Sequence, residues 1–217
     1  GEAPAALAEF LCTQGGGTAT LYVAERLGGP DARVREVQAD GFDLTDVQAP
    51  VAVGVALPKG IGLPRTPGLP DDHFASDGQI TKAPVRALTL SALAPRPGEL
   101  LWDIGAGSGS VSVEFCLAGG RAIAFEQHAA RVENITRNIE DFGLNARMQT
   151  IHGRAPKVWA GQPLPDVVFV GGGGNAALYD ALLPALPAGT RLVANGVTLE
   201  TEALLAQLHA AHGGSLL

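Results

Sequence analysis

The sequence is poor in cysteine, in basic residues and in long apolar runs. Cys12 and Cys116 are the only cysteines among 217 residues, which excludes a disulfide scaffold or a zinc site built from cysteine alone and favours a reducing compartment. No run reaches the roughly 18 apolar residues of a membrane helix, so we expect no membrane association.

The chain has an excess of acidic residues: 15 Lys and Arg against 22 Asp and Glu give a net charge of −7. Because nucleic-acid affinity comes mainly from cations on phosphates, no nucleic-acid partner is expected. The first residues lack the basic stretch of a signal peptide, so we expect a cytoplasmic location.

The chain divides into two unlike parts. Residues 1–57 predict a helix over 4–14 and two strands, over 18–23 and 51–57, which have too few partners to make a sheet. Residues 58–70 contain four prolines and predict a stiff linker. A second domain is expected over residues 71–217.

The second part alternates short apolar strands with helices. This alternation is typical of βαβ units, so we predict an α/β fold with a mainly parallel, doubly wound sheet. The first helix, over residues 82–93, is expected to turn Val85, Leu88 and Ala92 inward. The predicted strands are Leu100–Ile104, Ala122–Glu126, Met148–His152, Val167–Val170 and Arg191–Ala194.

A strand that runs into an acid and three alternate glycines carries the chemistry. Asp103 is followed by Gly105, Gly107 and Gly109 and then by a helix. Glycine lets the backbone turn sharply and approach a ligand closely. The dinucleotide fingerprint Gly-x-Gly-x-x-Gly places its third glycine one residue later, so the spacing disfavours NAD. The segment instead resembles the first motif of the Rossmann-like class I methyltransferases that depend on S-adenosylmethionine. That resemblance assigns cofactor contacts to Asp103, Gly105, Ala106, Gly107, Ser108 and Gly109, although Asp103 could equally brace the loop.

A second acid ends the next strand and supports a nucleoside ligand. Glu126 can accept hydrogen bonds from both ribose hydroxyls, which S-adenosylmethionine and NAD share. Gln127 would then edge the adenine pocket. Arg154 stands where the class usually has an acid, with Ala155 beside it. Further cofactor contacts are expected from Thr81, which could also be a simple N-cap, and from Gly171.

Several longer motifs are similar to one family. They are Pro67–Phe74, Asp77–Lys82, Val85–Leu93, Trp102–Ser112, Val170–Gly174 and Asn195–Thr201. Together they resemble the decarboxylating precorrin C15-methyltransferases of cobalamin biosynthesis, over residues 66–217. In many bacteria this unit is the C-terminal domain of a fused enzyme, and residues 1–57 resemble the tail of the preceding tetrapyrrole-methylase-type domain. A complete domain of this class adds two strands after the last helix, and this chain stops where the first of them would begin.

The resemblance implies a function and its partners. The cofactor would be S-adenosylmethionine, and the substrate a precorrin that is methylated at C15 and loses carbon dioxide from its ring C acetate. A fused C5-methylating domain and a homo-oligomer, a tetramer among the options, are expected. No metal and no catalytic residue are assigned.

A substrate with many carboxylates requires a local basic rim on an acidic protein. The candidates are Lys82, Arg86 and His73, with Arg65 and Lys59, although Arg86 could equally lie on a solvated helix face. Gly172 and Gly173 would let a broad substrate approach the backbone, and Asn195 could face the reacting ring or simply form a turn. Asn138 is expected on the surface of its helix.

Three other functions stay open at this point. One is a transfer RNA adenine methyltransferase, which the negative net charge disfavours. Another is an NAD-dependent oxidoreductase. The third is a non-catalytic domain that only binds S-adenosylmethionine.

Overall fold

The computed structural model describes residues 3–216, which form two compact units that divide between Leu63 and Pro64. This division falls inside the proline-rich stretch 58–70. The domain boundaries drawn from the sequence stay a prediction.

The first unit is a helix with a three-stranded antiparallel sheet. Helix α1 (Ala3–Thr13) precedes strands β1 (Thr20–Glu25), β2 (Arg33–Gln38) and β3 (Val51–Ala56), and β1 lies in the middle. The expectation that these strands make no sheet is wrong, because β2 had not been predicted. Its sequence, RVREVQ, carries charges on both faces of an edge strand, so it lacks the apolar signal of a buried strand.

The second unit is a five-stranded parallel sheet wound with helices. The strand order is β6-β5-β4-β7-β8, and every neighbouring pair is parallel, which confirms the predicted doubly wound α/β architecture. No helix within residues 3–216 is long and apolar enough to cross a membrane. The elements are α2 (Ala83–Leu93), β4 (Leu100–Ile104), α3 (Ser110–Leu117), β5 (Arg121–Glu126), α4 (Ala129–Asp141), β6 (Met148–His152), β7 (Val167–Val170), α5 (Ala176–Leu182), β8 (Arg191–Ala194) and α6 (Leu199–His212).

Two apolar cores form on opposite faces of this sheet. Alternate residues of a strand point to opposite faces. In β4, Leu101 joins the core made with α2, α3 and α4, whereas Trp102 joins the core made with α5 and α6. The five strands are therefore covered on both sides, and their carboxyl ends are left to build a site.

Helix α2 is turned the other way from the prediction. Leu90 and Leu93 are buried, whereas Val85 is 46% and Leu88 64% exposed. Both faces of this helix carry apolar residues at helical spacing, so periodicity alone could not choose between them. The buried face also contains Arg86, whose partners lie outside the helix.

Arg86 is fully buried in an ion-pair network, which overturns its expected place on a basic rim. Its Nε donates to Glu114 Oε1 at 2.6 Å, and its Nη1 donates to Asp71 Oδ1 at 3.2 Å. It also donates to the backbone carbonyls of Leu69 and Thr81. Four of its five N–H donors are used inside the protein and the side chain is fully buried, so it is not available to a substrate carboxylate.

Candidate cofactor and substrate site

The loop between β4 and α3 has the backbone that its glycines predict. Gly105, Gly107 and Gly109 have φ values of 72°, 61° and 72°, in the region that other residues adopt only with strain. A Cβ on Gly109 would meet Met148 Cε at 3.1 Å and Ile135 Cγ1 at 3.2 Å. The third glycine therefore lets α3 begin close to α4 and β6.

The backbone N–H groups of this loop are largely used within the protein. Those of Gly105 and Ala106 donate to Phe125 O at 2.9 and 3.1 Å, and that of Gly109 donates to Ala106 O at 2.8 Å. Gly107 N–H donates to Glu126 Oε2 at 2.9 Å. A diphosphate is held by free N–H groups at such a loop. The arrangement therefore favours a ligand that packs against the loop over one that carries phosphate.

Glu126 joins the loop to the end of β5 while lining the cavity. Its Oε1 accepts a hydrogen bond from His128 N at 2.9 Å, and its side chain is buried. Each carboxylate oxygen has a second lone pair. Glu126 can therefore hold the loop and still accept two ribose hydroxyls.

Asp103 lies behind the loop and outside the cavity wall. Its Oδ2 accepts from Ser112 Oγ at 2.7 Å, whereas its Oδ1 has no partner among the described residues. Burial, together with the neighbouring Glu126 charge, raises the pKa of Asp103 to about 7. Ser108 and Gly109 are also buried outside the lining. None of these three residues lines the cavity, and their expected cofactor contacts stay a prediction.

Asn138 ties the loop to the segment before α2. Its Nδ2 donates to Ser108 O at 2.8 Å and to Ala75 O at 3.0 Å, and its Oδ1 accepts from Ala75 N at 2.8 Å. The side chain is fully buried, so its expected surface position is wrong. An asparagine on a helix carries no sequence signal that separates these two roles.

A cavity of about 1810 Å³ opens at the carboxyl edge of the sheet. A pocket for one drug-sized ligand occupies roughly 300–1000 Å³, so this volume can take a nucleoside cofactor and a second large ligand. Most of the predicted site residues line it. They are Thr81, Lys82, Gly105, Ala106, Gly107, Glu126, Gln127, Arg154, Ala155, Gly171, Gly172, Gly173 and Asn195.

The charged lining of the cavity is mainly basic. The lining contains four basic residues, Lys82, Arg131, Arg154 and Lys157, and two acidic ones, Glu126 and Glu202, although the whole chain is acidic. His73 and Arg65 are outside it, and Lys59 belongs to the first unit.

Arg131 and Lys157 were missed in the sequence. Both follow a strand end, in the first turn of α4 and in the segment after β6. Their position after strands of a parallel sheet was the available signal, because the carboxyl ends of such strands meet at one edge. Arg131 is also paired, since its Nε lies 2.8 Å from Asp77 Oδ2.

Asn195 is held in place at the end of β8. Its Nδ2 donates to Thr89 Oγ1 of α2 at 3.1 Å, and its backbone N–H donates to Val170 O at 3.0 Å. Thr89 is buried and lines the cavity as well. The side chain of Asn195 is therefore fixed between β8 and α2.

The parallel sheet, the glycine loop with its internal hydrogen bonds and the acid at the end of β5 are typical of Rossmann-like proteins whose nucleoside ligand carries no phosphate. Comparisons with known proteins identify the group within that class. A model of the precorrin methyltransferase domain family matches residues 72–217. The chain belongs to this family.

Several relatives cover the chain. A Sinorhizobium protein called precorrin-6Y C(5,15)-methyltransferase [decarboxylating] is 47% identical over 100% of this chain and 54% of its own length. A Mycobacterium tuberculosis protein of the same name is 43% identical over 98% and 55%. The chain thus spans about half the length of these curated relatives. The crystal structure of the C-terminal domain of precorrin-6Y C5,15-methyltransferase from Rhodobacter capsulatus is 64% identical, with a TM-score of 0.70, over 71% of this chain and 84% of that one.

Proposed function

We propose that this chain carries an S-adenosylmethionine-dependent C-methyltransferase that methylates C15 of a precorrin and removes the ring C acetate carboxyl as carbon dioxide. The observation that carries this proposal is the large cavity, in which a glycine loop suited to a nucleoside without phosphate lies beside a mainly basic lining. A relative from Pyrobaculum calidifontis, 41% identical over 63% of this chain and 73% of its own length, is called a probable cobalt-precorrin-6B C(15)-methyltransferase (decarboxylating).

The cofactor fits the residues at the loop. Glu126 would accept the ribose hydroxyls, Gln127 and Ala155 would border the adenine, and Arg154 would lie against it. Gly105, Ala106 and Gly107 would contact the methionine part, with Thr81 and Gly171 beside it. S-adenosylmethionine, when bound, supplies the methyl group as an electrophile.

The substrate fits the rest of the cavity. Precorrins carry many carboxylates, and the side chains of Lys82 and Lys157 would bind them as point charges. Gly172 and Gly173 are exposed and would let the macrocycle approach the backbone, and the fixed Asn195 would face it.

The protein contributes mainly geometry to such a reaction. Holding two reactants in a productive orientation can supply roughly 7–11 kcal/mol of the barrier. The loop fixes one partner and the basic lining fixes the other, so their reacting atoms meet within one cavity. An apolar surrounding for the ring C acetate would weaken the solvation of its carboxylate and favour loss of carbon dioxide.

The first unit fits the tail of a fused C5-methylating domain. Relatives that match all or nearly all of this chain are about twice its length. Association of the protein into homo-oligomers, expected from the sequence, is part of the same proposal.

The test combines binding with product mass. Calorimetry should show binding of S-adenosylhomocysteine and none of NADH. Incubation with S-adenosylmethionine and the isolated precorrin should give a product that has gained one methyl group and lost one carbon dioxide. Binding of NADH alone, or a substrate of unchanged mass, would refute the proposal, and retention of transfer RNA in filter binding would favour an RNA substrate.

A matched pair of variants sharpens the cofactor assignment. Glu126→Gln should weaken S-adenosylhomocysteine binding by about 10- to 100-fold, because the charged acceptor of the ribose is lost. Glu133→Gln, on the exposed side of α4, should leave it unchanged.

A further inference from the structure

Helix α2 presents an apolar stripe that its own packing does not need. Val85, Leu88 and Ala92 are exposed and lie at positions i, i+3 and i+7, on one side of the helix. The opposite side, with Leu90 and Leu93, is packed in the core of the unit. The fold is therefore already satisfied without covering this stripe.

The stripe belongs to the wall of the cavity. All three side chains line it together with the glycine loop and with Val197, which is 68% exposed after β8. The hydrogen bond from Asn195 to Thr89 fixes the helix beside the end of β8, one residue from Leu88. Val197 also contacts the glycine run, since a Cβ on Gly172 would meet Val197 Cγ2 at 2.5 Å. The apolar surface is thus held next to the backbone that the substrate would approach.

Basic side chains border this apolar surface. Lys82 precedes α2, lies 3.4 Å from Asp71 Oδ2 and keeps 65% of its side chain exposed, and Lys157 is exposed in the lining of the same cavity. An apolar wall with a cationic border complements a ligand that is apolar on its face and anionic at its edge. A second copy of the chain fits less well, because a specific interface takes about 20–30 residues a side.

We propose that Val85, Leu88 and Ala92, together with Val197, form the wall against which the face of a polycarboxylated tetrapyrrole macrocycle lies, while Lys82 and Lys157 bind its peripheral carboxylates. This inference rests on the proposed function and adds to it the surface that selects the macrocycle. Leu88 is the central contact because it is the most exposed large side chain of the stripe.

The test measures two ligands on the same full chain. Coproporphyrin, a tetracarboxylic porphyrin, serves as the macrocycle probe by fluorescence titration, and S-adenosylhomocysteine reports the loop by calorimetry. Leu88→Glu should weaken porphyrin binding by about tenfold or more, because apolar contact is replaced by a charge that repels carboxylates, and should change S-adenosylhomocysteine affinity by less than about twofold. Leu164→Glu is the control, since Leu164 is 60% exposed and outside the cavity lining.

The outcomes separate the inference from the function on which it rests. Unchanged porphyrin binding in Leu88→Glu, or no porphyrin binding by the unsubstituted chain, overturns the inference and leaves the cofactor assignment standing. If the unsubstituted chain does not bind S-adenosylhomocysteine, the proposed function itself is overturned. If Leu88→Glu binds neither ligand, both titrations are repeated on Val85→Ser, and unchanged porphyrin affinity in that variant overturns the inference. A changed oligomeric state in size-exclusion chromatography with unchanged porphyrin affinity makes the stripe an interface between copies and also overturns the inference.

Discussion

A glutamate is buried in each unit, and arginines neutralise it in both, but the two arrangements differ in their contact with water. In the first unit Glu25 accepts from Arg33 Nε and Arg35 Nε, each at 2.9 Å. These arginine side chains remain 40% and 24% exposed and also reach Asp46. In the second unit the side chain of Arg86 is 0% exposed and that of Glu114 is 4% exposed.

The exposure of the arginines distinguishes what the two networks do. The first joins β1, β2 and the segment at Asp46, and its arginines keep part of their hydration. The second places an arginine in a dry site, where it also holds the backbone carbonyls of Leu69 and Thr81. A charge buried away from water is energetically costly unless it is fully paired, so the partners of Arg86 are held in fixed positions. Except for Glu114 of α3, those partners belong to residues 69–81, the segment that ends at Thr81 in the cavity lining.

The largest effect is expected from Arg86→Met. Removal of the cation leaves the carboxylate of Glu114 buried with the backbone N–H groups of Gly68 and Leu69 but without its counter-ion, which should lower the free energy of unfolding of the second unit by about 3–5 kcal/mol. Urea unfolding followed by tryptophan fluorescence measures this unit alone, because both tryptophans, Trp102 and Trp159, lie in it. Arg96→Met is the control, since its side chain is 70% exposed in a surface ion pair, and it should leave the midpoint unchanged. A loss under about 1 kcal/mol in Arg86→Met would show that the dry network matters no more than a surface pair.

The second largest effect is on the pH dependence of the free energy of unfolding, which should differ between the two units. Because burial raises the pKa of Asp103 from 3.8 to about 7, its neutral form is favoured in the folded unit. Its contribution to stability is full below pH 3.8 and is lost progressively as the pH rises to about 7. Asp103→Asn should therefore gain roughly 3 kcal/mol relative to the unsubstituted chain between about pH 4 and pH 7. Unfolding by urea at a series of pH values measures the difference.

The first unit should respond to pH in the opposite direction. The Arg33 hydrogen bond holds the pKa of Glu25 at about 2, so the contribution of Glu25 to the stability of the first unit is present above pH 4.5 and lost as the pH falls towards 2.

The control for Asp103→Asn is Asp180→Asn, which replaces an exposed carboxylate on α5. A pH-independent difference between Asp103→Asn and the unsubstituted chain would contradict the raised pKa.

A smaller effect compares one glycine from each unit. Gly107 and Gly28 have φ values of 61° and 85°, so alanine at either position should cost about 1–2 kcal/mol of strain. Only Gly107→Ala should also weaken S-adenosylhomocysteine binding, by about tenfold, because its Cβ would meet Gln79 O at 3.1 Å and shift the loop. Equal cofactor affinity in both variants would place the ligand away from the loop.

The smallest effect is expected from Arg35→Met. Arg33 still pairs with Glu25 and Asp46 in this variant, and the arginines are partly hydrated. Hydrogen exchange measured by mass spectrometry on peptides of β1 and β2 should change by less than about tenfold. A collapse of protection as large as that in the second unit of Arg86→Met would abolish the distinction between the two networks.

The sequence predicted the helices and strands of the second unit better than it predicted which side of each helix packs in the core. Strands β4 to β8 were found because parallel strands covered on both sides are short apolar runs. The orientation of α2 was wrong because the partners of Arg86 come from residues 69–81 and from α3, which no local pattern connects to it. Strand β2 was missed because it carries charges on both faces; its arginines pair with Glu25 of β1 and with Asp46 between β2 and β3, contacts that no local pattern reveals. Arg131 and Lys157 were missed because cavity lining depends on where strand ends meet.

By itself, the sequence determined the βαβ order, the glycine loop with its leading acid and the second acid after the next strand, because periodicity and spacing are local properties. Tertiary structure alone decided which charges are dry and which face the cavity, that Asp103 and Asn138 support the loop from behind, and that the apolar stripe of α2 is left uncovered. The physical reason is that burial and pairing depend on contacts between residues far apart in the chain.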